Sequence, residues 1–168
     1  RPFFQESRVV EFPDFPFPLM QDAGFVRQAF ANIAGRYVLA NHILSGGTDI
    51  LWRNRTAREV AKGRPATILD LATGSGDLAV TLQRTCPGAR VLGADFSVPM
   101  MRQAQKRRFT RLIAADGLAL PLANGVFDAV TVAFGLRNMA SWPQALSEMA
   151  RVLRPGGQLF ILDFSIPK

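Results

Sequence analysis

Apolar residues in the second two thirds of the chain form short runs, which are separated by segments of helical periodicity. The predicted strands are 66–71, 90–95, 111–115, 127–133 and 158–164, and the predicted helices between them are 77–86, a segment that follows Ser97, and a segment from Ser141 to Leu153. Strands that are apolar throughout are typical of parallel sheets, in which both faces are buried. The pattern therefore predicts an α/β fold with an open, mainly parallel sheet and crossover helices.

The chain before the first predicted strand has two parts. Residues 1–24 are rich in Phe and Pro, and proline at this density favours an extended arm. From Phe25 apolar positions recur with helical spacing, and a further helix is predicted to begin near Thr48. We therefore divide the chain into an arm, 1–24, and one domain, 25–168, in which an N-terminal helical cap could lie over the sheet.

A glycine-rich turn follows the first predicted strand. Asp70 stands near the end of that strand, and Gly74, Ser75 and Gly76 lie between it and the helix that starts at Asp77. Glycine lets the backbone turn tightly and approach a ligand closely. Because parallel α/β sheets bind ligands beyond the carboxyl ends of their strands, this turn predicts a nucleotide-type site.

Two further acids end the next two predicted strands. Asp95 ends the second strand, where a carboxylate suits the two hydroxyls of a ribose, and Phe96 follows it. Asp116 follows the third strand, where its carboxylate and the backbone at Gly117 could hold an adenine. Together with the glycine turn these acids predict a site for an adenine nucleoside, although each alone is also a common turn residue.

The glycine pattern fits two classes of ligand. Gly74, Gly76 and Ala79 match the dinucleotide fingerprint G-x-G-x-x-A, with Asp95 at a suitable distance. A dinucleotide would place its pyrophosphate at the start of the helix, where the carboxylate of Asp77 would repel it. S-adenosylmethionine has no phosphate and carries a positive sulfonium, so the residues favour this methyl donor.

Composition and charge narrow the class of protein. Of the 168 residues 48% are hydrophobic, and no apolar run approaches the roughly 18 residues of a membrane span. The net charge is +7, with basic residues clustered at 53–64 and 102–111, which fits nucleic acid, an anionic membrane surface or solvated helix faces. The single cysteine, Cys86, fits a reducing, cytoplasmic location. The sequence shows no cluster of His and Cys residues, so no metal site is predicted.

The segment after the fourth predicted strand limits which class of methyl acceptor the protein could use. Residues 133–138 lack the Asn/Asp-Pro-Pro-aromatic motif that is usual in amine methylation. Methylation of a pyrimidine ring needs a cysteine nucleophile at the site, and Cys86 lies at the far end of a predicted helix instead. The acceptor is therefore expected to belong to another class.

Five segments carry a resemblance to a known family. They are residues 36–52, the glycine turn, 115–121, 127–138 and 151–165, and the most specific are Phe134–Asn138 and 151–165. Over about residues 25–167 the chain resembles the ubiquinone/menaquinone biosynthesis C-methyltransferases. The resemblance implies a Rossmann-like class I methyltransferase fold, S-adenosylmethionine as methyl donor, and methylation of a ring carbon of a prenylated quinol, either a demethylmenaquinol or a ubiquinol precursor.

The resemblance also implies roles for individual residues. It implies donor contacts for Ser75, Asp95, Asp116, Gly117 and Ala133, to which the glycine turn and the strand ends add Asp70, Gly74, Gly76 and Phe96. The residues at the quinol ring would be Tyr37, Arg137 and Asn138. An unperturbed phenol has a pKa of about 10, so a guanidinium beside it would favour the reactive oxyanion. Arg137 is the candidate for this role, and the base would be a water on Arg137, Tyr37 or His42.

The sequence departs from the family pattern at a few positions. Val38 stands where the family usually has Asp, Asp49 where it has His, and Asp163 where it has Glu. The resemblance implies further strands beyond Lys168, so the usual seven-stranded sheet is expected to lack its C-terminal strands. The apolar edge at 158–164 would then pair with a second copy, another chain or a later segment.

Two other functions remain open on the residues. Methylation of RNA or protein is supported by the positive charge, although nucleic acid is not the favoured partner. A non-catalytic, donor-binding subunit is supported by Val38 and Asp49. Quinol chemistry instead predicts a lipophilic substrate and peripheral association with the inner face of a membrane.

Overall fold

The structure is a computed structural model, and it describes residues 48–163. The predicted arm, the helical segments before Thr48, Tyr37 and His42 lie outside the described residues. So does Phe164, the last residue of the predicted fifth strand.

Helices and strands alternate along the described part of the chain, as the sequence predicts. In chain order the elements are α1 (Thr48–Lys62), β1 (Thr67–Leu71), α2 (Asp77–Thr85), β2 (Arg90–Asp95), α3 (Val98–Lys106), β3 (Leu112–Ala114), β4 (Phe127–Ala133), a 3-10 turn (Leu136–Asn138), α4 (Trp142–Val152) and β5 (Leu153–Leu162). The predicted bounds of the second and fourth strands match these, and the others differ by one to five residues.

The five described strands form one sheet in the order β3-β2-β1-β4-β5, and each neighbouring pair is parallel. β1 lies at the centre, where Ile68 aligns with Val91 of β2 and with Ala129 of β4. The chain moves outward from β1 to β3 and then crosses back to β4. The carboxyl ends of β1 and β4 therefore flank the point where strand order reverses, which is where open α/β sheets bind ligands.

Each face of the sheet packs against helices. On one face α1 and α2 contribute Ala57, Val60, Leu78 and Leu82 to a buried cluster with Ile68. On the other face α4 packs on β1 and β4 through Ala145, Met149, Val152, Leu69 and Val130. Because both faces are covered, the strands read as continuous apolar runs.

The start of β5 differs from the prediction. Pro155–Gly157 is predicted to end the helix and precede the strand, but β5 begins at Leu153, immediately after α4 ends at Val152. The three residues form an irregular part of the strand, with Gly156 at φ 80° and a register shift opposite Phe127 to Ala129. The proline and glycines therefore distort this strand without preventing it.

Ser141 and Ser97 each occupy the position before a helix, but only Ser141 makes a capping hydrogen bond. The Ser141 Oγ accepts a hydrogen bond of 3.4 Å from the backbone N–H of Gln144, as a capping residue does. The Gln144 side chain does not complete a capping box; its amide donates to the carbonyl of Leu118 at 3.0 Å. Ser97 occupies the cap position of α3, but its hydroxyl makes no capping bond.

Candidate functional site

The glycine turn joins β1 to α2 through three residues in the left-handed region. Ala72, Gly74 and Gly76 have φ values of 52°, 55° and 76°. A Cβ built on Gly76 would lie 2.8 Å from the Cβ of Ala104 in α3, so this position needs glycine for its conformation and for its space. The turn is fixed to β2 by a 3.1 Å hydrogen bond from Thr73 N–H to the Ala94 carbonyl.

Asp95 connects the end of β2 to this turn. One carboxylate oxygen accepts from the backbone N–H of Gly74 at 2.7 Å, and the other accepts from that of Ser97 at 2.8 Å. Burial raises the pKa of Asp95. The carboxylate also accepts from the backbone N–H of Phe96, and because a carboxylate has about four acceptor positions, Asp95 keeps acceptor capacity for a ribose. Phe96 beside it is 44% exposed, which leaves a ring face at this edge of the sheet.

Asp70 is the most deeply buried acid of the predicted donor site. It is 1% exposed, and its two oxygens accept from the hydroxyls of Thr73 and Thr131, each at 2.7 Å. Burial raises the pKa of Asp70 to about 6. In this arrangement Asp70 joins the glycine turn to β4, and a direct contact of Asp70 with the donor stays a prediction.

Asp77, at the first position of α2, is paired with two guanidinium groups. One of its oxygens lies 3.7 Å from the Arg53 guanidinium of α1 and accepts from the Ser75 hydroxyl, and the other oxygen pairs with Arg107. Burial raises the pKa of Asp77, but the Ser75 hydrogen bond and both guanidiniums outweigh burial, and the pKa is lowered. The argument that an isolated Asp77 carboxylate repels phosphate is therefore wrong, because two cations compensate its charge.

The cluster around Asp77 also changes the interpretation of the basic segment 53–64. Arg53 is only 14% exposed, and its Nη1 lies 3.1 Å from Asp49 as well as near Asp77. It is therefore not part of a solvated helix face. By contrast Arg102, Lys106, Arg108 and Arg111 of the second basic segment are exposed.

The loop after β3 carries the predicted adenine contacts. Asp116 is exposed, and one of its oxygens accepts from the backbone N–H of Leu118 at 2.9 Å. A Cβ built on Gly117 would lie 3.2 Å from the Met139 side chain and 3.6 Å from Leu71. The loop after β3 therefore packs against the end of β1 and the segment after β4.

The loop after β4 is packed tightly against the glycine turn. Phe134 has φ 57°, and its N–H donates to the Leu162 carbonyl at 2.7 Å. Its ring centroid lies 6.2 Å from that of Trp52. A Cβ built on Gly135 would overlap the Cβ of Ala72, so only glycine lets these two loops approach. Two non-glycine residues in the left-handed region at adjacent strand ends are the kind of strain that accompanies binding sites.

Two guanidiniums contact the Phe134 ring. That of Arg53 lies 5.4 Å from the ring centroid and that of Arg137 lies 5.9 Å from it. Arg137 is held by Asp163, which accepts from its backbone N–H at 3.2 Å and lies 3.5 Å from its guanidinium. The side chain of Arg137 is 27% exposed, so it keeps access to the edge of the sheet.

The structure brings together most of the predicted site. The ends of β1, β2 and β4 and the loop after β3 place the predicted residues along one edge: Asp70, Gly74, Ser75, Gly76, Asp95, Phe96, Asp116, Gly117, Ala133, Arg137 and Asn138. Ala133 ends β4, and Asn138 ends the 3-10 turn that follows it. Tyr37 and His42 lie outside the described residues.

The sequence pattern does not identify Arg53, Trp52 and Phe134 as parts of this edge. It predicts Trp52 as a helix residue at the end of a family segment, Arg53 as part of a basic cluster, and Phe134 as part of a family segment. Their signal was weak because a helix of 15 residues says nothing about which of its side chains meets a distant loop. A tryptophan followed by arginine on a basic helix is the one cue that could have prompted the question.

Within residues 48–163 no group of three His, Cys, Asp or Glu side chains is arranged to hold a metal ion. In the same residues no helix is both long and apolar enough to cross a membrane.

Comparison with known proteins agrees with the fold and the predicted family. The demethylmenaquinone methyltransferase of Thermus thermophilus is 50% identical over 143 residues, which are 82% of this chain and 65% of that protein. The protein of the same name in Deinococcus radiodurans is 42% identical over 153 residues, which are 88% of this chain and 64% of that protein. The chain thus spans slightly less than two thirds of these curated relatives.

Solved structures share the architecture. In the complex between the Haloferax volcanii Trm112 methyltransferase activator and a methyltransferase, the matching chain has a TM-score of 0.64 and 28% identity, over 81% of this chain and 59% of that one. A model of the ubiE/COQ5 methyltransferase family matches residues 19–168. The chain therefore belongs to the ubiE/COQ5 methyltransferase family and has the Rossmann-like fold of the class I methyltransferases.

Proposed function

We propose that this protein transfers a methyl group from S-adenosylmethionine to a ring carbon of a demethylmenaquinol. The family match over residues 19–168 carries the proposal. The name of the Thermus thermophilus relative supports menaquinone as the quinone type. The arrangement of acids, glycines and guanidiniums at the carboxyl edge of the sheet supports a nucleoside donor and a phenolic acceptor.

The donor would lie along the carboxyl ends of β3, β2 and β1. The adenine would contact Asp116 and Gly117, and the ribose hydroxyls would donate to Asp95. The glycine turn would let the sulfonium part pass close to the backbone. A positive sulfonium would not meet a purely positive site here, because the acids Asp70 and Asp95 stand at the ends of β1 and β2.

The acceptor would bind beside the loop after β4. The Arg137 guanidinium would stabilise the oxyanion of the quinol, whose ordinary pKa is about 10, and Asn138 would orient the hydroxyl. The ring carbon then attacks the methyl carbon in line, forming a C–C bond as the S–C bond breaks and the sulfur leaves as a neutral thioether. The ring carbon then loses its proton to a base such as water. Holding both reactants in this geometry supplies much of the rate.

The Arg137→Ala variant tests this proposal. Methyl transfer from labelled donor to a soluble demethylmenaquinol analogue is measured for the wild type and the variant, and donor binding is measured by calorimetry. Turnover should fall by at least about 100-fold while the donor Kd stays within about twofold. Arg154→Ala is a matched control, since Arg154 pairs with Asp128 at the amino ends of the strands, and its loss should not affect turnover.

Loss of both turnover and donor binding in Arg137→Ala would mean that Arg137 only holds the loop together through Asp163. Methylation of RNA or protein by the wild type, with no transfer to the quinol analogue, would contradict the proposed acceptor. The assay should therefore include both macromolecules as alternative acceptors.

A prenylated quinol partitions into lipid, so we also propose that the protein works at the surface of an anionic membrane. The exposed basic residues of the second basic segment support this, because each cation near such a surface contributes about 1 kcal/mol. Cosedimentation with anionic vesicles should fall as salt rises. Equal binding to neutral vesicles would contradict an electrostatic attachment.

A further inference from the structure

Arg53 occupies the junction of three elements at the carboxyl edge of the sheet. It extends from α1, pairs through Nη1 with Asp49 at 3.1 Å and approaches Asp77 of α2 at 3.7 Å. Its guanidinium also lies over the Phe134 ring of the loop after β4. Burying a guanidinium costs free energy unless its charge is paired, so a mostly buried arginine at this junction indicates a specific role.

The order of the strands indicates which part of the donor would reach Arg53. The adenine is assigned to the loop after β3 and the ribose to the end of β2, and the sheet order continues with β1 and β4. The amino acid part of the donor would therefore extend over the glycine turn toward the loop after β4. Arg53 is the guanidinium that contacts both of these segments, through Asp77 and Phe134.

We propose that Arg53 binds the carboxylate of the amino acid part of the donor. The inference rests on the proposed function and adds to it the residue that recognises this end of the ligand. A guanidinium has five N–H donors in a planar fork that matches a carboxylate. Arg53 lies 3.1 Å from Asp49 and 3.7 Å from Asp77 through Nη1, so its guanidinium is already oriented toward this junction.

The neighbouring charges fit a zwitterionic amino acid. Two guanidiniums, Arg53 and Arg107, face two carboxylates, Asp49 and Asp77, so the cluster is balanced before a ligand binds. An amino acid group carries one positive and one negative charge and would keep this balance.

The other guanidiniums at this edge are less suitable. Arg107 pairs with Asp77 from beyond the C-terminal end of α3, and its side chain is 41% exposed. Arg137 is paired with Asp163 at the end of β5, on the side away from β2. Arg107 therefore provides a matched control: it shares the Asp77 partner of Arg53 but is not expected to contact the ligand.

The test compares two ligands that differ only in the carboxylate. The Kd values of S-adenosylhomocysteine and of its decarboxylated form, S-adenosyl-3-thiopropylamine, are measured by calorimetry on the 168-residue chain and on its Arg53→Gln, Arg53→Lys and Arg107→Gln variants. The wild type should prefer the carboxylated ligand by about 10- to 100-fold, the range expected for a charged hydrogen bond. Arg53→Gln should lose most of this preference, Arg53→Lys should keep part of it, and Arg107→Gln should keep all of it.

A preference that is unchanged in Arg53→Gln would overturn the inference, and so would a wild type that binds both ligands equally. Circular dichroism and thermal unfolding of each variant separate a loss of fold from a loss of recognition, and the ratio of the two Kd values is insensitive to a small loss of folded protein. The outcome is independent of the acceptor: failure to methylate the quinol would refute the proposed function while leaving the ligand preference intact.

Discussion

Asp70 and Asp128 are buried carboxylates at opposite ends of the neighbouring strands β1 and β4, and their surroundings differ. Asp128 lies near the start of β4, where it accepts from the backbone N–H groups of Ala66 and Thr67 at 2.6 and 2.9 Å and pairs with Arg154. Burial raises the pKa of Asp128, but these three partners outweigh burial, and the pKa is lowered. Burial raises the pKa of Asp70, at the carboxyl ends, to about 6, although Asp70 accepts from the hydroxyls of Thr73 and Thr131.

The difference separates a part of the fold that serves stability from a part that serves binding. At the amino ends of the strands the negative charge is compensated by backbone donors and a cation, so ionisation of Asp128 stabilises the fold. At the carboxyl ends the charge of Asp70 is under-compensated, so its ionisation costs stability. Such a site stores an unfavourable interaction that a bound cation, for example a sulfonium, would relieve.

The largest effect is expected from a substitution that adds atoms between the glycine turn and the loop after β4. In Gly135→Ala the new methyl group would overlap Ala72 and force the two loops apart. We expect a loss of roughly 3 kcal/mol in the free energy of unfolding and the loss of measurable binding of S-adenosylhomocysteine. Urea unfolding and calorimetry measure the two effects.

Gly88→Ala is the control for this variant, because a Cβ at Gly88, in the turn before β2, meets nothing within 4 Å. Its unfolding free energy should change by less than about 0.5 kcal/mol. If Gly135→Ala bound the ligand like the wild type, the close approach of the two loops would have no part in the site.

A smaller effect is expected from Asp70→Asn, and it should depend on pH. The folded-state pKa of Asp70 is raised from 3.8 to about 6, so the folded protein binds its proton more tightly than the unfolded chain does. Between these values the wild type loses stability as pH rises, by about 2 kcal/mol from pH 4 to pH 7. Asn has no such cost, so the variant should gain on the wild type over this range in urea unfolding.

A stability difference between Asp70→Asn and the wild type that is constant from pH 4 to pH 7 would show that burial does not shift the Asp70 carboxyl. The titration is best followed without ligand, since a bound cation would lower the cost of the charge.

The smallest effect is expected from the same substitution at the other end of the sheet. Asp128→Asn removes the ion pair with Arg154 and weakens the acceptor for two backbone N–H groups, which should cost about 1.5 kcal/mol at pH 7. Because the pKa of Asp128 is lowered, its contribution is present above the unfolded-state pKa and is lost as pH falls. The cost should therefore shrink as pH falls below about 4, opposite in sign to the trend of Asp70→Asn, and ligand affinity should not change.

The sheet was predictable from the sequence because the apolar runs are long and separated by strong turn residues. The second and fourth predicted strands match the structure, and the order of the elements is confirmed. The start of β5 was not predictable from the local pattern. Pro155–Gly157 is a common stop signal, and only the pairing of Leu153 with Phe127 reveals that the strand begins earlier.

The donor edge was predictable to the extent that it depends on strand ends. Acids and glycines at the ends of parallel strands must converge on one edge, so Asp70, Gly74 and Asp95 could be grouped without coordinates. The charge cluster around Asp77 could not be predicted from the sequence, because Arg53 meets Asp77 through the packing of α1 on α2. Side-chain pairing between distant helices depends on crossing geometry, which a sequence pattern does not specify.

The distorted first half of β5 limits where a further strand can pair with the outer side of the sheet. β5 is an edge of the described sheet, and its regular ladder with β4 runs only from Gln158 to Leu162. Pro155 has no N–H to offer and Gly156 turns the backbone out of the extended conformation, so within the described residues a sixth strand could pair regularly with about 16 Å of this edge. Assembly along this side is thereby restricted in register, whichever chain supplies the strand.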